Sequence, residues 1–259
     1  MRRSTVPVAV AGALVLGAGL FAVQRAAATS PAPRQTTPSP ELVAQGRDLY
    51  LTGCSSCHGG NGEGTTQAPA LIGVGAASAD FYLTTGRMPA AQGEPYQPPR
   101  KEPAYPPDQI TALVAYVASL GAGPPIPEVN VDAADRSRGG VLYRANCAAC
   151  HQSAGAGGAL SYGHSAPPLD QATPTQVVEA MRVGPSEMPV FNERTIDDQD
   201  ADDIAAYVQY LRDPDNRGGA ALGGNGPVPE GAVALIVGLG GVVAVSVWIV
   251  GRRRRAAHG

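Results

Sequence analysis

The sequence predicts a mainly α-helical chain, in which two small modules of one design stand in tandem between an N-terminal apolar segment and a C-terminal membrane helix. Three observations carry this expectation. All four cysteines of the 259 residues fall in two identical Cys-x-x-Cys-His patterns. Behind each pattern, apolar residues recur at helical spacing: Leu113, Tyr116, Val117 and Leu120 correspond to Ile204, Tyr207, Val208 and Leu211 at a constant offset of 91. Uncharged apolar stretches long enough for a bilayer occur at the two ends of the sequence and nowhere between.

Residues 1–28 open with Met1-Arg2-Arg3, continue as an apolar run from Val6 to Val23 and reach Ala26-Ala27-Ala28. This is the pattern of a secretory signal peptide cleaved after Ala28, or of an uncleaved membrane anchor. Residues 29–40 are rich in Pro, Ser and Thr and read as a flexible linker. The first module occupies 41–121, with Ser39-Pro40-Glu41 as its helix start. A linker at 122–135 separates it from the second module, 136–213. A Gly/Pro-rich connector, 214–231, reads as a loose stalk or as a strap on a partner subunit. It leads into 232–250, a run of 19 uncharged residues that spans about 28 Å as a helix. The basic tail, 251–259, begins with Arg252 to Arg255. Under the positive-inside rule those arginines keep the tail cytoplasmic and place the modules outside the cytoplasm.

Composition excludes several classes. The 33 Gly and 24 Pro are incompatible with a coiled coil, and the 44% hydrophobic share with full disorder. Seven arginines sit at the termini, so the middle carries 12 basic against 22 acidic side chains, a net of −10. That sign disfavours a nucleic-acid partner.

The chemistry lies in the two patterns, Cys54-Ser55-Ser56-Cys57-His58 and Cys147-Ala148-Ala149-Cys150-His151. Cys-x-x-Cys-His is the attachment signature of c-type heme. Two thiols one helical turn apart add across the porphyrin vinyl groups, and the adjacent histidine reaches the iron. The alternatives fit less well. Two disulfides leave both histidines unexplained. A thioredoxin-like site wants a βαβ context. A zinc ribbon does not account for a 93-residue separation or for the repeated histidine. Gly46 and Tyr50 precede the first pattern by the same intervals as Gly139 and Tyr143 precede the second, which predicts a short leading helix in each module. Pro69-Ala70-Leu71 and Pro167-Pro168-Leu169 follow at corresponding places.

Met88, in Thr85-Gly86-Arg87-Met88-Pro89, and Met188, in Ser186-Glu187-Met188-Pro189, lie between each heme pattern and the closing helix. Proline holds the preceding residue extended, and a thioether there suits the distal face of the iron. The site expectation is therefore Cys54, Cys57, Cys147 and Cys150 for covalent attachment of two hemes c, with His58/Met88 and His151/Met188 as axial ligands. Met181 falls on an apolar helix face with Val177 and Val178 and is expected in the core. His164 is expected in a solvated loop, and His258 belongs to the tail.

With these motifs in place, the chain resembles the diheme cytochrome c subunit of the actinobacterial-type cytochrome bcc complex, a menaquinol–cytochrome c reductase. The resemblance covers nearly the whole chain. It is most distinctive at Thr85-Gly86-Arg87-Met88-Pro89-Ala90, at the Pro-rich insert reaching Arg100-Lys101-Glu102-Pro103, and at Leu222 to Gly231. It implies two tandem class I cytochrome c domains and the same four cysteines, two histidines and two methionines as heme residues. It further implies a Rieske iron–sulfur protein and a cytochrome b as partners, and an aa3-type oxidase as electron acceptor. The expected action is outer-sphere electron transfer with no bond chemistry in this chain. A freestanding membrane-tethered diheme shuttle is the alternative carrier. A diheme peroxidase would need an iron with an open coordination site and acid–base groups beside it, and each module offers a methionine instead. The aspartates from Asp197 to Asp203 are expected to form a solvated helix start favoured by the helix dipole.

Overall fold

Local signals explain where the helices begin. In the computed structural model, which describes residues 38–91, 98–214 and 227–257, helix α1 (Pro40–Gly53) starts where Ser39 accepts a hydrogen bond from the Leu42 N–H, with proline in its first turn. A one-turn helix, α2 (Ser55–His58), follows at once, then α3 (Gly75–Thr84) and α4 (Pro107–Ser119). The second module repeats the series as α5 (Arg136–Asn146), α6 (Ala148–His151), α7 (Pro174–Val183) and α8 (Asp198–Arg212). Asp135 caps α5, Thr173 and Gln176 form a capping box on α7, and Asp197 caps α8. The described residues belong to one compact unit, mainly α-helical as the sequence predicts.

In each module the leading helix crosses the closing helix, α1 on α4 and α5 on α8. The repeated Gly–Tyr pair is built into this crossing. A Cβ on Gly46 would stand 1.9 Å from the Ala112 carbonyl oxygen, and one on Gly139 would stand 1.8 Å from that of Asp203. Only glycine lets the two backbones approach so closely. One turn later, Tyr50 and Tyr143 are fully buried. Their rings lie 5.0 Å from Tyr116 and 5.4 Å from Tyr207 respectively. Around them form two apolar cores, one with Leu83, Ile110, Leu113 and Val114, the other with Val178, Ile196, Ile204 and Val208. Met181 lies in the second core, 1% exposed, as its helical spacing predicts.

Module 2 adds a two-stranded antiparallel hairpin, β1 (Gly158–Ala159) with β2 (Ser165–Ala166), in register Gly158 to Ala166. His164, expected in a solvated loop, is only partly exposed, and its Nε2 stands 3.9 Å from Glu187. The aspartate run also departs from a merely solvated helix start. Asp197 caps α8, but Asp203 is buried. Its Oδ1 accepts hydrogen bonds from the Asp135 N–H at 2.7 Å and from Gln199 at 3.0 Å. Arg138 pairs with Asp200 and lies near Asp203. The run therefore ties α5 to α8.

The two modules touch through equivalent helices, α3 and α7. Gln176 spans the contact: its Oε1 accepts from both Nη atoms of Arg100 at 3.1 Å, and its Nε2 donates to Thr84 at 3.2 Å. Near the C-terminus, α9 (Pro227–Val233), a π-helical turn (Ala234–Leu239) and α10 (Gly240–Ala257) run on as one helical stretch. Its Pro229–Arg253 portion is long and apolar enough to cross a membrane and is not buried by the other described residues. The signal or anchor at 1–28, most of the first linker, residues 215–226 of the connector and His258 lie outside the described residues.

Candidate heme sites

Each Cys-x-x-Cys-His pattern forms the break between two helices. Cys54 ends α1 and starts α2, and Cys147 does the same for α5 and α6. The histidine N–H groups donate back to those cysteines' carbonyls, His58 to Cys54 at 3.0 Å and His151 to Cys147 at 2.9 Å. All four cysteines are free thiols, so the disulfide alternative is not what the structure contains. Cys54 and Cys147 are partly buried against the two apolar cores, while Cys150 is exposed. Burial, with the neighbouring thiol second, pushes Cys54 up and Cys147 up to about 11.

Both histidines are only 9% exposed. The His58 Nδ1–H donates to the Pro69 carbonyl at 2.8 Å, and that of His151 to Pro167 at 3.0 Å. A ring held this way keeps its proton on Nδ1 and leaves the Nε2 lone pair for a metal. Burial also pushes the His151 imidazolium down, against a smaller opposite effect from the Pro167 carbonyl, so the neutral ring is favoured. The repeated proline segments were visible in the sequence. Their task was not, because only the folded loop brings a carbonyl 11 or 16 residues away onto the imidazole.

The tyrosines brace the same turn. Tyr50 donates its hydroxyl to the Gly59 carbonyl at 2.6 Å, and Tyr143 to that of Gln152 at 2.8 Å. Burial pushes the Tyr50 phenol up to about 12 and raises Tyr143 as well. Replacing Tyr143 by Phe should cost about 1 kcal/mol, a fall of roughly 4–8 °C in the melting point of a domain this size. Thermal unfolding followed at the heme band checks this, and an unchanged midpoint would show that the bond contributes nothing net.

The methionine loops leave α3 and α7 through glycines in the left-handed region, Gly86 (φ +64°) and Gly184 (φ +64°). Met88 is fixed by a backbone bond to Tyr82 at 3.1 Å and Met188 by one to Pro185 at 3.0 Å. Both are half-buried, Met88 against the core that Cys54 touches and Met188 against the one that Cys147 touches. In each module, therefore, the first cysteine of the pattern and the methionine touch the same core.

This donor set fits a c-type heme. Each module supplies one imidazole, one thioether and two thiols, which suits an iron whose remaining four positions come from a porphyrin. Among the described residues, no group of three or more His, Cys, Asp or Glu could cage a bare metal ion. Beside Met88, Nη1 of Arg87 is buried without a hydrogen-bond partner among the described residues, and the guanidinium lies 5.2 Å from the centre of the Phe81 ring. A buried cation with a spare donor suits an anionic group such as a porphyrin carboxylate. Sequence reading overlooked Arg87, although its place next to Met88 was a usable signal.

Comparison with known proteins agrees module by module. Residues 43–121 match the cytochrome c family, and residues 134–208 match the family described as cytochrome C oxidase, cbb3-type, subunit III. The chain is 41% identical over 253 residues to the cytochrome bc1 complex cytochrome c subunit of Mycobacterium tuberculosis, covering 93% of this chain and 90% of the relative. It is 38% identical over 264 residues to the subunit of the same name from Corynebacterium diphtheriae, covering 93% and 94%. A more distant likeness, 30% over 192 residues and 65% of this chain, is to the cbb3-type cytochrome c oxidase subunit CcoP of Azospirillum brasilense. Two cytochrome c domains carry two covalently bound hemes c, and the chain belongs to the family of cytochrome c subunits of the cytochrome bc1 complex.

Proposed function

We propose that this chain is a membrane-anchored diheme cytochrome that carries electrons from the Rieske and cytochrome b subunits of a quinol-oxidising complex to an aa3-type oxidase. The observation that carries the reading is the pair of equivalent Cys-x-x-Cys-His turns, each with its own methionine loop, in modules docked to each other through α3 and α7. Cys54, Cys57, Cys147 and Cys150 hold the hemes. His58 and Met88 would ligate one iron, His151 and Met188 the other. Bound heme supplies the redox couple, and the protein does the rest. The Pro69 and Pro167 carbonyls orient the imidazoles, the tyrosine-braced turns keep them rigid, and the apolar cores exclude water from the buried faces. A thioether opposite the imidazole raises the potential of the couple. With both axial positions filled, no bond-making activity is expected of this chain alone.

The apolar helix anchors the modules in the membrane. The arginines after it keep the tail in the cytoplasm and the heme modules outside. The domain boundaries proposed are those of the sequence, 41–121 and 136–213, joined by the linker at 122–135.

The test is a reduced-minus-oxidised optical spectrum of the protein purified from native membranes in mild detergent. Bands of b-type and a-type heme beside the c-type band are expected. A c-type band alone, at two hemes per chain, would replace this reading with the freestanding tethered shuttle.

A further inference from the structure

The contact between the modules joins one helix to its own counterpart, so equivalent positions meet across it, as they do in an isologous interface. Asp80 and Glu179 are each the sixth residue of their helix, and their carboxyl groups face each other across the contact. Glu179 is 0% exposed. Neither of its oxygens has a hydrogen-bond partner among the described residues. Two carboxylates in this position would repel, with Glu179 shielded from water and Asp80 only partly so. One proton between them converts the repulsion into an O–H···O bond.

The cations near this contact are not among the groups that act on Glu179. Arg100 is spent on Gln176, with Asp170 and Glu102 near it. Arg87 lies over Phe81, next to Tyr82. Arg182, on α7 itself, turns to Asp198 and to the carbonyls of Phe191 and Ile196. The charge that acts on Glu179 is that of Asp80. Burial first, then Asp80, pushes Glu179 up to about 9. Burial raises Asp80 too, opposed by a smaller effect of the Glu179 carboxyl beside it. Of the two carboxyls, Glu179 is the fully buried one and therefore the one disposed to hold a proton.

We propose that the proton shared by Glu179 and Asp80 is a latch that holds the two heme modules together, and that its loss in alkaline medium loosens the α3–α7 contact. The sign follows from linkage. The docked contact binds the proton more tightly than a solvated glutamate with its ordinary value of 4.5. Its contribution is complete below that value and declines as pH rises, until it is lost at about 9. Because the pairing follows from the repeat, the latch needs no third residue.

The test uses the full chain with both hemes attached. Its infrared spectrum should contain the carbonyl stretch of a buried protonated carboxyl that disappears near pH 9, and this band should be missing from Glu179→Gln. Pulsed dipolar EPR between the two ferric hemes should give a narrow distance distribution below about pH 8 and a broad one above about pH 10, a unit either side of the midpoint. Glu179→Gln can still donate an N–H to Asp80 and cannot ionise, so its distribution should stay narrow throughout. A wild-type distribution that does not change, or a Glu179→Gln chain that loosens at the same pH as wild type, overturns the latch. If Glu179→Gln fails to mature, the wild type decides alone. Infrared band and distance changing together support the proposal; a distance that stays narrow after the band has gone sinks it.

Discussion

Gly139→Ala is expected to unfold the second module at temperatures where the first survives. The new methyl would stand 1.8 Å from the Asp203 carbonyl oxygen and 2.4 Å from its carbon, against backbone that no rotamer change can move aside. Helices α5 and α8 would have to separate, breaking the contact that buries Tyr143 and holds the bond from Asp135 to Asp203. Overpacking typically costs 1–3 kcal/mol and occasionally more. With a rigid backbone on both sides, the upper end, about 3 kcal/mol, is expected. For a domain of this size that lowers the melting point by roughly 12–24 °C. The two hemes report the modules separately when their spectra are followed during heating. Gly60→Ala is the control, because its methyl would meet nothing within 4 Å. A Gly139→Ala melting point within a few degrees of wild type would mean that the helices have more freedom to separate than their packing implies.

Met188→Ala should turn a closed iron into an open one without disturbing the loop. The Met188 N–H bond to Pro185 and the Phe191 N–H bond to Met181 are backbone interactions, and the left-handed turn at Gly184 does not involve the thioether. What goes is the side chain beyond Cβ, the thioether included. The reduced wild-type protein should bind no carbon monoxide, whereas Met188→Ala should bind one molecule per chain. The potential of the affected heme should fall while the other holds, because the thioether is the ligand that raises it. Met88→Ala should do the same to the first heme. A reduced Met188→Ala chain that takes up no carbon monoxide would remove Met188 from the ligand set.

The heme modules and their order were legible in the sequence because they are set by short-range geometry. Cys-x-x-Cys-His needs one helical turn, and Met-Pro needs one extended residue. A four-residue interval from Tyr50 to Cys54 places a side chain one turn away on the same helix face. The membrane helix was legible for a related reason, since the bilayer reads composition along a single segment. The caps at Ser39 and Asp197 were equally local.

Other features depended on elements distant in the chain. The interval between Gly46 and Tyr50 was plain in the sequence, but its cause is the crossing of α1 over Ala112 on α4. Pro69 and Pro167 looked like loop punctuation until the fold brought their carbonyls onto His58 and His151. Asp203 looked like one more solvated acid and is instead buried between α5 and α8. The meeting of Asp80 with Glu179 had no local signal, because each is an unremarkable acid on an ordinary helix. By itself the sequence determined what each module is, since cofactor attachment and helix formation are encoded within a few residues. The tertiary structure alone decided how one module meets the other, because a carboxyl acquires a partner, and with it a proton, only where two distant helices exclude water between them.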